Sequence, residues 1–133
     1  MSIFISIASY QDPLLVSTIF SAYNNATNKD ELIFSICDQS DTPVNIEDLT
    51  FEKQVRYEHV DPVFSKGPCW ARHRAQSFYL GEDYFLQIDS HIPAELICVY
   101  ATYPTTAVCI SDLPYHRIDY QTSSSFRILV RYN

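Results

Sequence analysis

An apolar run that stops abruptly at an acid and a histidine dominates this chain: Tyr84-Phe85-Leu86-Gln87-Ile88 closes in Asp89-Ser90-His91. From Lys66 onward it is preceded by a Gly-Pro turn and a short helical pattern, so residues 66–91 read as loop, helix and strand. A buried strand that delivers polar side chains at its carboxyl end is how an open α/β sheet presents ligands. The chain should therefore form a largely parallel sheet, with its chemistry beyond the strand ends.

The same pattern occurs upstream. Ser2 to Ala8 is a continuous apolar run that fits a central strand buried on both faces. Asp12-Pro13 then offers an N-cap and a proline at the first helical position, before Leu15, Ile19, Ala22 and Tyr23 recur at helical spacing. Leu32 to Cys37 is a second buried strand and stops at Asp38. Residues 40–52 are acidic and proline-containing, a surface loop with a turn of helix, and residues 54–60 alternate as a third, more exposed strand. Ala71, Ala75 and Phe78 share a helical face, and Gly81 ends that helix. The expected class is α/β: a Rossmann-like, mixed but mostly parallel sheet flanked by helices, with an irregular β-rich C-terminal part.

Residues 95–102 form another apolar run, too close to Ile88 for a parallel crossover, which takes a dozen residues or more. Either this strand is antiparallel to its neighbour or a connecting segment is missing. Residues 107–110, 117–121 and 126–132 read as short strands joined by turns, and self-pairing into a homo-oligomer through these exposed late strands stays open. A chain of 133 residues suits one domain, here divided into residues 1–92 and a reduced remainder, 93–133.

A net charge of −7 argues against a nucleic-acid partner, because phosphate contacts need clustered basic residues. Cys37, Cys69, Cys98 and Cys109 are widely spaced with no C-x-x-C pair, which reads as buried thiols in a reducing compartment. The first apolar run has no basic leader and is too short to span a membrane. The expectation is a cytoplasmic domain without membrane contact.

Asp89 and His91 flank a single residue, so at an extended strand end they project to one side, about 6–7 Å apart along the backbone. A carboxylate and an imidazole at that spacing can share a divalent cation, manganese or magnesium, whose shell diphosphate oxygens and water complete. The alternative is that Asp89 caps a turn and His91 is a solvated loop residue. Arg72 and Arg74 precede that strand and suit a diphosphate, or else ion pairs with Glu82, Asp83 or Asp89. Tyr10 and Trp70 can stack on a base or sugar, although Trp70 at a helix start reads better as a core anchor. His59, His73 and His116 are isolated, and no hydrolase triad follows from their spacing.

Three blocks in order, residues 5–12 (Ile-Ser-Ile-Ala-Ser-Tyr-Gln-Asp), 67–72 (Gly-Pro-Cys-Trp-Ala-Arg) and 81–91 (Gly-Glu-Asp-Tyr-Phe-Leu-Gln-Ile-Asp-Ser-His), resemble the N-acetylglucosaminyltransferase family that modifies hydroxyproline on a cytoplasmic ubiquitin-ligase subunit. The resemblance covers roughly residues 3–92, with Thr102-Tyr103-Pro104 as a later echo. It implies a GT-A glycosyltransferase fold, UDP-N-acetylglucosamine as donor, a divalent metal and a protein hydroxyl as acceptor. By position, Asp89 and His91 would be the Asp-x-His metal ligands, and Asp89 and Arg72 the catalytic pair. Ala8, Ser9, Tyr10, Asp38, Arg72 and Asp89 would bind the donor. Family members resemble retaining enzymes. Gln11 stands where the family often has arginine, and Ile92-Pro93 runs straight into Ala94-Glu95 where the family has a helical stretch with a Trp-Asp pair. A catalytically inactive relative that binds nucleotide or a protein partner is the alternative.

Overall fold

The computed structural model describes residues 2–91 and the strand at Val108–Cys109. Its strands are β1 (Ile3–Tyr10), β2 (Leu32–Gln39), β3 (Val55–Val60), β4 (Tyr84–Asp89) and β5 (Val108–Cys109), arranged as one sheet in the order β3-β2-β1-β4-β5. Every described pairing is parallel. β1 is central, and Phe4, Ile5, Ser6 and Ile7 are at most 1% exposed, which is why this strand reads as an unbroken apolar run. β1 and β2 extend two residues beyond their apolar runs because the ladder continues through Ser9 opposite Asp38 and Tyr10 opposite Gln39.

Alternation divides the sheet into two faces. Ile3, Ile5 and Ile7 lie in register with Leu32, Phe34 and Ile36 of β2, and this face packs against Leu15, Ile19 and Ala22 of α1 (Leu15–Asn25). Phe51 from the β2–β3 connection closes that core, stacked on Tyr23 with ring centroids 3.9 Å apart. On the opposite face, Ala71 and Ala75 of α2 (Pro68–Gln76) pack with Cys37 and Ala8. Small residues at both helix positions let α2 approach closely enough for the Ser35 hydroxyl to donate to the Ala75 carbonyl at 2.7 Å. Burying one large aliphatic side chain in such a core stabilises by about 1.5–3 kcal/mol, so the row Ile7, Ile36 and Ile88, all 0% exposed, is a principal source of stability.

Several details differ from the sequence expectations. α1 begins at Leu15, two residues after Pro13, because the Asp12 carboxylate accepts the Leu14 amide at 2.9 Å and forms a turn ahead of the helix. α2 ends at Gln76, before Phe78, as tight turns take over: the amides of Phe78 and Tyr79 donate to the carbonyls of Ala75 and Gln76. Gly81 lies beyond the helix, at φ +96, and turns the loop into β4. Cys37 is buried as expected, but Cys69 is exposed, because it sits in the first turn of α2. Residues 90–107 link β4 to β5, a length that accommodates a parallel crossover. The expected strands at 95–102, 117–121 and 126–132, the 102–104 block, Cys98 and His116 lie outside the described residues. Among the described residues, no helix is long and apolar enough to cross a membrane.

Candidate functional site

The strand order creates a specific place for a site. From β1 the chain passes through α1 to β2 on one side, whereas from β3 it passes through α2 to β4 on the other side of β1. The connections therefore diverge at the carboxyl ends of β1 and β4, the switch point where open α/β sheets bind ligands.

Asp12, Ser90 and His91 meet there. The Ser90 hydroxyl donates to Asp12 Oδ2 at 2.5 Å, and His91 Nδ1 lies 3.4 Å from the same oxygen. Thr18, 1% exposed on α1, donates its hydroxyl to the Ser90 carbonyl at 2.7 Å. Burial alone would raise the Asp12 pKa, but the Ser90 hydroxyl, the Leu14 amide and His91 outweigh it and hold the carboxyl below the usual aspartate range. The acid sits between serine and histidine, which is not the nucleophile–base–acid order of a hydrolase triad.

On the α2 side of the sheet, Arg72 Nη2 donates to Asp89 Oδ1 at 3.1 Å. The pairing follows from the fold: Asp89 is in register with Ala8, on the face that α2 covers. The Arg72 Nε–H is buried and has no partner among the described residues. Arg74 instead forms a bidentate pair with Glu58 of β3, and its guanidinium lies 5.6 Å from the Trp70 ring centroid. Glu82, expected as a partner of these arginines, is bound by Arg56 at 2.6 Å.

The expected donor-binding residues of β1 fan out at its end. Ala8 packs towards α2, Ser9 is 1% exposed with a hydroxyl unpartnered among the described residues, and Tyr10 is 58% exposed. Asp38, in register with Ser9 and 1% exposed, accepts from Tyr57 at 2.7 Å and from Ser40 at 2.9 Å. Gln11 occupies the left-handed region at φ +49 and ties the β1 loop to the β2 loop through Asp41 at 2.8 Å. Trp70 is a partly buried flank of the small α2 cluster, not a deep anchor.

β4 stops at Asp89, and Ser90 and His91 form a turn, so the alternation of an extended strand does not carry through to His91. Asp89 and His91 make their described contacts with different partners, Arg72 and Asp12. Among the described residues, no group of three or more His, Cys, Asp or Glu side chains is placed to hold a metal ion. Sequence reasoning took Asp12 for a helix cap and missed its role across the switch point. The available signal was its position just past the end of the central strand, in the same place relative to β1 that His91 has relative to β4.

The chain is a parallel α/β domain that places an acid, an arginine and a histidine at its switch point, where open α/β sheets bind ligands. A family model described as Glycosyltransferase (GlcNAc) matches residues 42–96. That span, rather less than half of the chain, carries β3, α2, β4, Arg72 and Asp89-Ser90-His91, and it supports a glycosyltransferase. The β1 end, with Ala8 to Asp12, lies outside it. No curated protein and no solved structure gives a significant match.

Proposed function

We propose that the chain is a metal-dependent transferase that moves N-acetylglucosamine from UDP-N-acetylglucosamine to a protein hydroxyl. The observation that carries this reading is the meeting of Arg72 and Asp89 at the carboxyl end of β4, inside the span that matches the glycosyltransferase family.

Asp89 and His91 would hold the cation. A carboxylate and an imidazole are donors suited to manganese or magnesium, and a site with only two protein ligands fits a cation whose other positions go to substrate phosphates and water. Bound there, the cation would supply charge neutralisation for the departing diphosphate. The Nε–H of Arg72, buried and without a partner among the described residues, fits the same chemistry, since a guanidinium N–H is suited to a phosphate oxygen. Ser9 and Tyr10 at the end of β1, with Ala8 and Asp38 beside them, would bound the nucleoside side. The acceptor hydroxyl would attack the sugar from the face the diphosphate leaves, the course of a retaining enzyme. This reading takes the GT-A type of fold, residues 1–133 as one domain, and a cytoplasmic setting.

A second reading is a nucleotide- or protein-binding relative without turnover. It is favoured by the engagement of Asp89 with Arg72 and of His91 with Asp12. Calorimetric titration of UDP and UDP-N-acetylglucosamine, with and without manganese, separates the two. Manganese-dependent binding that Asp89→Ala abolishes, with release of UDP from the donor, supports the transferase; binding indifferent to manganese and to Asp89→Ala contradicts it.

A further inference from the structure

We infer that Asp12 is the positioning residue for His91, holding its proton on Nδ1 and so making Nε2 the nitrogen whose lone pair is offered to a cation. The inference rests on the proposed transferase reading only for what His91 binds; its effect on the ring is independent of it. A carboxylate can only accept, so a favourable contact between Asp12 Oδ2 and His91 Nδ1 at 3.4 Å requires the hydrogen on Nδ1. That is the opposite of the tautomer a neutral imidazole favours in water.

The carboxylate is itself fixed. Oδ1 accepts the Leu14 amide at 2.9 Å, Oδ2 accepts the Ser90 hydroxyl at 2.5 Å, and the Asp12 side chain is 13% exposed against 48% for His91. Thr18 anchors the Ser90 carbonyl from α1 at 2.7 Å. The turn that carries the imidazole is thus tied to the β1–α1 connection through Asp12 and to α1 through Thr18. Asp12 touches no reacting atom; it acts through His91, as a carboxylate does behind a metal-ligating histidine.

The test is the tautomer of His91 in the metal-free protein, read from the 15N shifts of its ring nitrogens at a pH where the ring is neutral. Wild-type protein should show a protonated Nδ1 and an unprotonated Nε2, and Asp12→Ala should move the proton to Nε2. Asp12→Ser keeps an oxygen for the Leu14 amide, so the comparison stands if Asp12→Ala does not fold, and it should shift the proton likewise. Ser90→Ala, which removes a neighbour but leaves the carboxylate, should keep the wild-type tautomer. A wild-type Nε2–H tautomer, or one that neither Asp12 variant changes, overturns the inference. In a parallel arm, paramagnetic resonance of manganese with UDP present should show affinity reduced by about 10–100-fold in Asp12→Ser. If wild-type protein binds no manganese, the transferase reading falls, while the 15N result still decides the role of Asp12.

Discussion

Arg72 and Asp89 meet across one face of the sheet, Nη2 to Oδ1 at 3.1 Å, one side chain from α2 and the other from the last residue of β4. Both are partly open to solvent, at 32% and 18%, so the pair contributes only about 0.5–1 kcal/mol to stability. Its larger effect concerns charge at the switch point. Arg72→Met should leave the thermal midpoint within a few degrees of wild type and weaken UDP binding by about tenfold, the loss of one charge-assisted contact. Differential scanning fluorimetry and calorimetry read the two effects separately.

Tyr57 joins the β2–β3 connection to the sheet. Its hydroxyl donates to Asp38 at 2.7 Å and accepts the Val44 amide at 2.8 Å, and burial with the Asp38 carboxylate raises its pKa. Tyr57→Phe leaves the buried Asp38 carboxylate and the partly buried Val44 amide each short of a partner and should cost about 1–3 kcal/mol, measured by urea denaturation. An unchanged midpoint would show that water replaces the hydroxyl.

The thiols should separate by reactivity. Burial, then the Glu58 and Asp38 charges, push the Cys37 thiol up to about 11 despite Arg74, whereas Cys69 is exposed at the start of α2. Because the thiolate is the reactive form, iodoacetamide at neutral pH should modify Cys69 in native protein and spare Cys37 until the chain is unfolded. Peptide mapping checks the order.

Glu82 predicts an acid limb. Burial opposes its ionisation, but the Leu80 amide, a second backbone contact and Arg56 outweigh it and lower its pKa. A carboxyl whose native pKa lies below its unfolded one adds stability that is fully present above the unfolded value, about 4.3, and is lost as pH falls through the native value. Glu82→Gln should therefore destabilise at pH 7, and its disadvantage should shrink between about pH 4.3 and the lower native value. Chemical denaturation at pH 7 and pH 3 measures the difference.

The parallel core was legible because burial on both faces leaves a direct mark: Ile3 to Ile7, Leu32 to Ile36 and Leu86 to Ile88 read as strands from their side chains alone. The Arg72–Asp89 pairing was legible as one option among several, since a helix feeding a strand brings the two near each other. Asp12 was not, because a local pattern, Asp-Pro before a helix, explains it fully, whereas its contacts to Ser90 and His91 cross 78 residues or more of chain. The end of α2 is not legible for a related reason: Phe78 continues the helical period, but tight turns after Gln76 draw the backbone out of it.

On the proposed reading, Asp89 and His91 share a cation that carries the diphosphate of a sugar nucleotide. Crystals soaked with manganese and UDP-N-acetylglucosamine, measured for manganese anomalous scattering, test it most directly. The expected result is a single strong peak bonded to Asp89, to His91 Nε2 and to phosphate oxygens, with Arg72 turned towards the diphosphate. Bound nucleotide without a peak there, or a peak held by other residues, would contradict it.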